Sequence, residues 1–330
     1  MQPTICVKLS PKHRKMIYFA FGLSFQSLNL ELPELPIMAS GSSPQCEPVS
    51  ADVVIEEGDP DQWPELAPIR AELPQIRAQP GELHLEIEDI GYFRISHGNK
   101  IAWSRWSPNV QDQDIRSFLL GSALGALLIQ REMLVMHGNA LTKNGEAIIC
   151  LGHSGAGKST LAFALMRAGW DLLADDLVAI TPAGVVLPGV QRIKLWKDAV
   201  EAFRLDHSEL TAILAGVEKF QLAGSFIRSA QSGVPLKVCY VLPDEAPADR
   251  SDEGSISSSP LGSDRQVMAE LLANVYRPLF VKGLGMQGGN FLTITTLLRK
   301  IPHLRLNIPH GIVNLPERLA DFDFLNPTIP

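Results

Sequence analysis

The residues Gly152-His153-Ser154-Gly155-Ala156-Gly157-Lys158-Ser159, with Thr160 next, follow the spacing G-x-x-x-x-G-K-[ST]. Glycines in such a run let main-chain N–H groups turn inward and approach phosphate oxygens with no side chain in the way. A helix starting there adds partial positive charge. Lys158 is then placed to reach the β- and γ-phosphates of a nucleotide, and the Ser159 hydroxyl to sit on Mg²⁺. The flanks have the required character. Ala147-Ile148-Ile149-Cys150-Leu151 reads as a short buried strand, and Ser159 to Met166 as a helix leaving the loop. His153 occupies a free position of the spacing, facing solvent or the edge of a substrate.

Phosphoryl transfer to a hydroxyl needs a metal on the terminal phosphates, a group that orients or accepts the hydroxyl proton, and cations that offset charge. Asp175 and Asp176 follow Asp171-Leu172-Leu173-Ala174, which reads as a strand after the loop helix. Adjacent strand residues point to opposite faces, so both carboxylates serve one site only if the strand ends there. One could then hold Mg²⁺ while the other faces the acceptor hydroxyl. The alternative is that the pair caps the following turn. His137 enters through a register argument. Asn144-Gly145 is a strong hairpin signal between Leu134–His137 and Ala147–Leu151. With that turn, Lys143 faces Glu146, and counting outward places His137 beside Gly152. Arg192, Lys194 and Arg277 are further basic candidates for offsetting phosphate charge, each also readable as an ordinary surface or structural residue.

The chain around these residues has 330 positions, 45% of them hydrophobic, 20% charged, with a net charge of −7. That is the balance of a soluble globular protein of two ordinary domains, and it disfavours a nucleic-acid partner. The four cysteines, Cys6, Cys46, Cys150 and Cys239, are far apart and fit reduced thiols in a cytoplasmic protein. Lys8, Lys12, Arg14 and Lys15 before Met16–Phe21 imitate a signal peptide. The apolar run is short, however, and polar residues follow, so a strand is expected. Met16 is a second candidate start. No run is long enough for a membrane span.

Residues 1–15 read as a disordered tail and 16–110 as a mainly β region. Leu83, Leu85 and Ile87 alternate with polar residues, Phe93 and Ile95 continue the pattern, and His97–Lys100 reads as a hairpin turn. Between Pro33 and Pro80 the composition suggests loops around one strand, Asp52–Ile55. Residues 111–330 read as the P-loop kinase domain, and a helix apolar on nearly all faces at its start, 112–132, joins the β region to the nucleotide-binding core. Further on, strands are expected at Val178–Thr181, Val185–Leu187, Leu236–Leu242 and Leu304–Ile308, and helices at Lys197–Leu205, Asp264–Tyr276 and Asn290–Lys300. Residues 243–262, acidic and Ser-rich, read as a flexible loop.

Taken together, His137-Gly138, the glycine loop and Ala174-Asp175-Asp176 resemble, in order and separation, the HPr kinase/phosphorylase family. The resemblance implies an α/β P-loop core of the phosphoenolpyruvate-carboxykinase type and ATP- and Mg²⁺-dependent phosphorylation of a serine hydroxyl. It implies Asp175 as base, Asp176 with Ser159 on the metal side, and His137 as a partner of the base. Loop contacts with ATP would come from Gly152, Ser154, Gly155, Ala156, Gly157, Lys158, Ser159 and Thr160. Over nearly the whole length the chain is similar to the HPr-kinase-like proteins of lasso-peptide gene clusters. The shared elements are Phe21-Gly22-Leu23, Leu32-Pro33-Glu34-Leu35-Pro36, Phe118 to Leu128 and Tyr276-Arg277-Pro278. Some of those proteins phosphorylate the C-terminal serine of a precursor peptide, so a peptide or small protein with an acceptor serine is the expected partner. The chain departs from HPr kinases around Pro188–Lys194, which lacks their E-x-R-G-x-G element. The expected reaction is therefore kinase chemistry on a peptide serine, with a homo-oligomer possible from the relatives. HPr itself, a small-molecule acceptor, or nucleotide binding without catalysis are the rivals.

Overall fold

A computed structural model of the chain describes residues 16–37, 51–72, 74–206, 210–212, 218–223, 232–243, 255–308 and 315–328. The expected 1–15 tail, Cys6 and Cys46 lie outside them. Among the described residues the protein is a mixed α/β structure with three sheets.

The central sheet is organised by the Asn144-Gly145 hairpin. Strands Gly138–Lys143 and Glu146–Leu151 pair antiparallel with Lys143 opposite Glu146 and Gly138 opposite Leu151, the expected register. Both turn residues have positive φ, as a two-residue hairpin turn demands. Asp171–Asp175 pairs with the outer side of Gly138–Lys143. Val234–Val241 lies parallel to Glu146–Leu151, and His303–Asn307 parallel to Val234–Val241. Because successive strand residues point to opposite faces, one strand feeds two cores. Ala147, Ile149 and Leu151 pack into one cluster, with the N-terminal sheet and the helical stretch before the hairpin. Ile148 and Cys150 pack into the other, with the helix Lys158–Arg167.

The described residues of the N-terminal β region form an eight-stranded sheet. Glu82–Ile87 and Gly91–Ser96 carry the expected alternation, with Leu83, Leu85, Phe93 and Ile95 buried. Pro33–Pro80 holds more strands than the one expected. Besides Val53–Glu57 there are Pro68–Arg70 and Gln75–Gln79. Pro68–Arg70 is an edge strand exposed throughout, so it has no apolar alternation to read.

The stretch expected as one helix over 112–132 is helical but interrupted. Asp112–Phe118 and Leu124–Gln130 flank a π-helical segment, Leu119–Ala123. The flexible loop expected at 243–262 is corrected at its described end. Ser257–Pro260 forms a strand on His303–Asn307 through main-chain bonds that its serine-rich composition does not advertise. Residues 244–254 lie outside the described set. The helix expected to reach Tyr276 stops at Ala273, and the chain then meets Leu134–Met136 through one bridge, Val275 to Met136, and the Tyr276 N–H on the Val135 carbonyl. Among the described residues, no helix is long and apolar enough to cross a membrane.

Candidate functional site

The strand Glu146–Leu151 ends at Gly152 (φ 142°), and the loop passes Gly155 (φ 91°) and Gly157 (φ 86°) before the helix begins at Lys158. A Cβ at Gly155 or Gly157 would meet nothing within 4 Å, so glycine is required there by backbone conformation and not by crowding. The first main-chain bond of the helix runs from Leu161 N–H to the Gly157 carbonyl. The N–H groups of Lys158, Ser159 and Thr160 therefore point from the helix start without an intrahelical acceptor, which suits an anion. Lys158 is buried, and its ammonium donates to the carbonyls of Gly152 at 2.7 Å and His153 at 2.8 Å. An ammonium has three donors, so one remains. Burial lowers the Lys158 pKa, against the opposing fields of Asp176 and Asp175. Ser154, Gly155 and His153 are exposed on the loop's outer side.

The strand Asp171–Asp175 brings the acidic pair alongside. Asp175 is the last strand residue, opposite Asn139. Asp176 has φ 75°, which breaks the strand and turns its carboxylate toward the same site as that of Asp175. The two acids have different surroundings. Asp175 is 8% exposed and both its oxygens are engaged. Oδ1 accepts from the Ser159 hydroxyl at 3.1 Å and from the Asn139 amide, and Oδ2 from the Lys194 main-chain N–H at 2.8 Å. Burial, then the charge of Asp176, raise its pKa. The side chain of Asp176 is 35% exposed. Burial would raise its pKa, but the hydrogen bond from His137 and the Lys194 ammonium at 2.9 Å outweigh that and hold it far below the usual carboxylate range.

His137 follows the strand Leu134–Met136, and its side chain is 37% exposed. Its Nδ1 lies 3.1 Å from Asp176 Oδ1 and 3.2 Å from the Asp176 carbonyl. Both partners only accept, so Nδ1 carries a proton, and in the neutral tautomer with that proton Nε2 would be the acceptor nitrogen. The expected placement of His137 beside Gly152 is close but indirect. Strand pairing stops at Gly138–Leu151, and a third residue spans the remaining gap. Asn274 accepts the His137 N–H on its main-chain carbonyl at 2.8 Å and the Gly152 N–H on its side-chain oxygen at 3.0 Å.

The basic candidates separate. Lys194, on the strand Arg192–Trp196, touches both acids, one through its main chain and one through its ammonium. Arg192 is buried, and its guanidinium donates to the Gln221 side-chain oxygen at 3.3 Å. Burial lowers its pKa, and the charge acting on it most is that of Glu34 from the N-terminal sheet region, ahead of Asp176 and Asp175. Arg277 is exposed and stands over the rings of Tyr276 and Phe280, and no hydrogen bond or ion pair joins it to the acidic pair. The segment Pro188–Lys194 also fastens the N-terminal region to the site. Phe21 N–H donates to the Pro188 carbonyl at 2.6 Å, and Gly189 N–H to the Leu173 carbonyl at 2.7 Å.

Asn139 and Asn274 are site neighbours that the sequence reading passed over. Asn139 had a signal, since it lies two residues after His137 in a strand running to the hairpin. Asn274 had none, because what it offers His137 is a main-chain carbonyl. Cys150, just before the loop, is buried, and burial pushes its thiol up to about 12, which makes it inert.

No protein-family model matches the chain, and no relative matches among the curated proteins. Among solved structures, the Hpr(Ser) kinase/phosphatase from Coxiella burnetii is similar at a TM-score of 0.27 and 11% identity, covering 56% of this chain and 92% of that chain. A TM-score that low assigns neither fold nor activity.

Proposed function

We propose that the protein is an ATP- and Mg²⁺-dependent kinase with a P-loop core of the HPr-kinase type, acting on a serine hydroxyl of a ribosomally made precursor peptide. The observation that carries the kinase reading is the convergence of Lys158, Ser159, Asp175, Asp176 and His137 at the start of one helix. The peptide substrate rests on the sequence resemblance to lasso-peptide cluster proteins.

The donor set fits the metal. Mg²⁺ is held by one or two carboxylates and hydroxyls completed by substrate phosphates, and Ser159 with Asp175 offers that pair. When bound, the ion neutralises charge on the β- and γ-phosphate oxygens. Lys158 and the free N–H groups of the helix start hold the same phosphates.

The contacts favour exchanging the roles that the resemblance implies for the two acids. Asp175 meets the metal-side hydroxyl and is the more buried of the two acids. Asp176, more exposed and bonded to His137, stands on the acceptor side. There His137 Nε2 takes the serine proton as the serine oxygen bonds to the γ-phosphorus and the bond to the ADP oxygen breaks. Asp176 orients the ring and stabilises its protonated form. The low basicity of Asp176 is no obstacle, because phosphoryl transfer asks more for orientation than for strong proton abstraction.

The test is transfer from γ-labelled ATP, with Mg²⁺, to serine-containing peptides in parallel with small alcohols. Label on a peptide serine supports the reading. Label on small alcohols alone assigns a small-molecule kinase, and ATP binding with no transfer to any acceptor would sink the kinase itself.

A further inference from the structure

We infer that Asn274 is a positioning residue that couples the phosphate loop to His137, an inference that rests on the kinase reading for its consequence but not for its geometry. Asn274 closes the helix Asp264–Ala273. It is 8% exposed, and each polar atom of its side chain has a partner: Nδ2 donates to the Glu270 carbonyl at 2.9 Å, and Oδ1 accepts the Gly152 N–H at 3.0 Å. Its carbonyl takes the His137 N–H at 2.8 Å. The next two residues hold to the strand before His137, with Val275 bridging Met136 and Tyr276 N–H donating to the Val135 carbonyl at 2.8 Å.

Gly152 is the pivot where the central strand gives way to the loop, and its main chain adopts a conformation reserved for glycine. Asn274 therefore ties that pivot to the residue carrying the acceptor-side imidazole, and it does so with one short, stiff side chain. A shift of the loop as it closes on a triphosphate moves the Gly152 N–H, then Asn274, then the His137 main chain. Nucleotide at one end sets the ring at the other. A buried tie of this kind transmits displacement, because packed polar contacts move together or break.

The experiment compares the full chain with Asn274→Ala, which removes the tie, and Asn274→Asp, which keeps an acceptor for Gly152 but not the donor to Glu270. In ¹⁵N-labelled protein, adding ADP with Mg²⁺, which fills the loop without setting a γ-phosphate beside the ring, shifts the His137 main-chain amide resonance in wild type and in Asn274→Asp but not in Asn274→Ala. In turnover, Asn274→Ala loses roughly a hundredfold in the kcat of the folded protein, the scale of a misplacement by about 1 Å, while ATP affinity changes little and Tm falls as the loss of its two side-chain hydrogen bonds requires. A merely structural asparagine would lower Tm and leave the kcat of the folded protein intact. A His137 shift that persists in Asn274→Ala, or is lost equally in Asn274→Asp, overturns the coupling. If Asn274→Ala does not fold, Asn274→Ser, which withdraws the acceptor from Gly152 while keeping a polar cap, takes its place with the same expected result. A wild type that transfers no phosphate defeats the kinase reading alone, since the resonance measurement still decides the coupling.

Discussion

The Ser159 hydroxyl and the Asp175 carboxylate meet at 3.1 Å, one from the first turn after the glycine loop and the other from the end of a neighbouring strand. This contact distinguishes the two adjacent acids. Asp175→Asn keeps the shape but leaves one acceptor oxygen for three donors, from Ser159, Asn139 and Lys194. We expect at least a roughly hundredfold loss of transfer with ATP still bound, and a raised Mg²⁺ requirement in whatever turnover remains. Titrating Mg²⁺ against initial rate checks this. Asp176→Asn should cut the rate by a similar factor with an unchanged Mg²⁺ requirement, and the reverse pattern would restore the roles implied by family resemblance.

Lys194→Met tests the acceptor side. Its ammonium helps to keep Asp176 ionised, so its loss lets the Asp176 pKa rise. The variant should lose roughly tenfold or more in kcat with ATP affinity little changed. An unchanged kcat would remove Lys194 from the site.

Much of this geometry is legible in the residues. Asn144-Gly145 set the hairpin register, the glycine spacing set the loop, and the polar pair after Asp171–Ala174 set the strand end. What escapes the residues is contact made by main chain. Lys194 holds Asp175 with an N–H that any residue but proline would supply, and Asn274 holds His137 with a carbonyl common to every residue. The division of labour between Asp175 and Asp176 is equally hidden, because neighbours of one type are told apart only by the oxygens each presents. Ser257–Pro260 shows the same for the fold, as an edge strand recruited by its partner's backbone.

Gly189→Ala tests the fastening of the N-terminal region. A Cβ there would lie 2.8 Å from two atoms of the Phe21 ring and 3.2 Å from the Ala174 Cβ, beside the acidic pair. Phe21 is 1% exposed and cannot swing away, so the added methyl overpacks the contact at a cost of about 1–3 kcal/mol. Thermal unfolding should show Tm lower by several degrees. Transfer should fall more than the folded fraction, since the strain reaches the strand bearing Asp175. An unchanged Tm would mean that Phe21 does not clamp this segment.

His303 gives the molecule a pH dependence separate from the site. It is 8% exposed on the strand His303–Asn307, and its Nε2 has no hydrogen-bond partner among the described residues. Burial, against a hydrogen bond to Ile301, lowers its pKa from 6.5 to about 4. Between those values the unfolded chain binds a proton that the folded chain refuses. Stability is therefore complete above pH 6.5, declines as pH falls toward 4, and by then has lost ~3 kcal/mol from this group. His303→Leu removes the titrating ring from an apolar site of similar volume, so its denaturant midpoint should decline less between pH 6.5 and 4.5. Urea unfolding at stepped pH checks this. Parallel declines in the two proteins would show that His303 protonates in place without opening the strand.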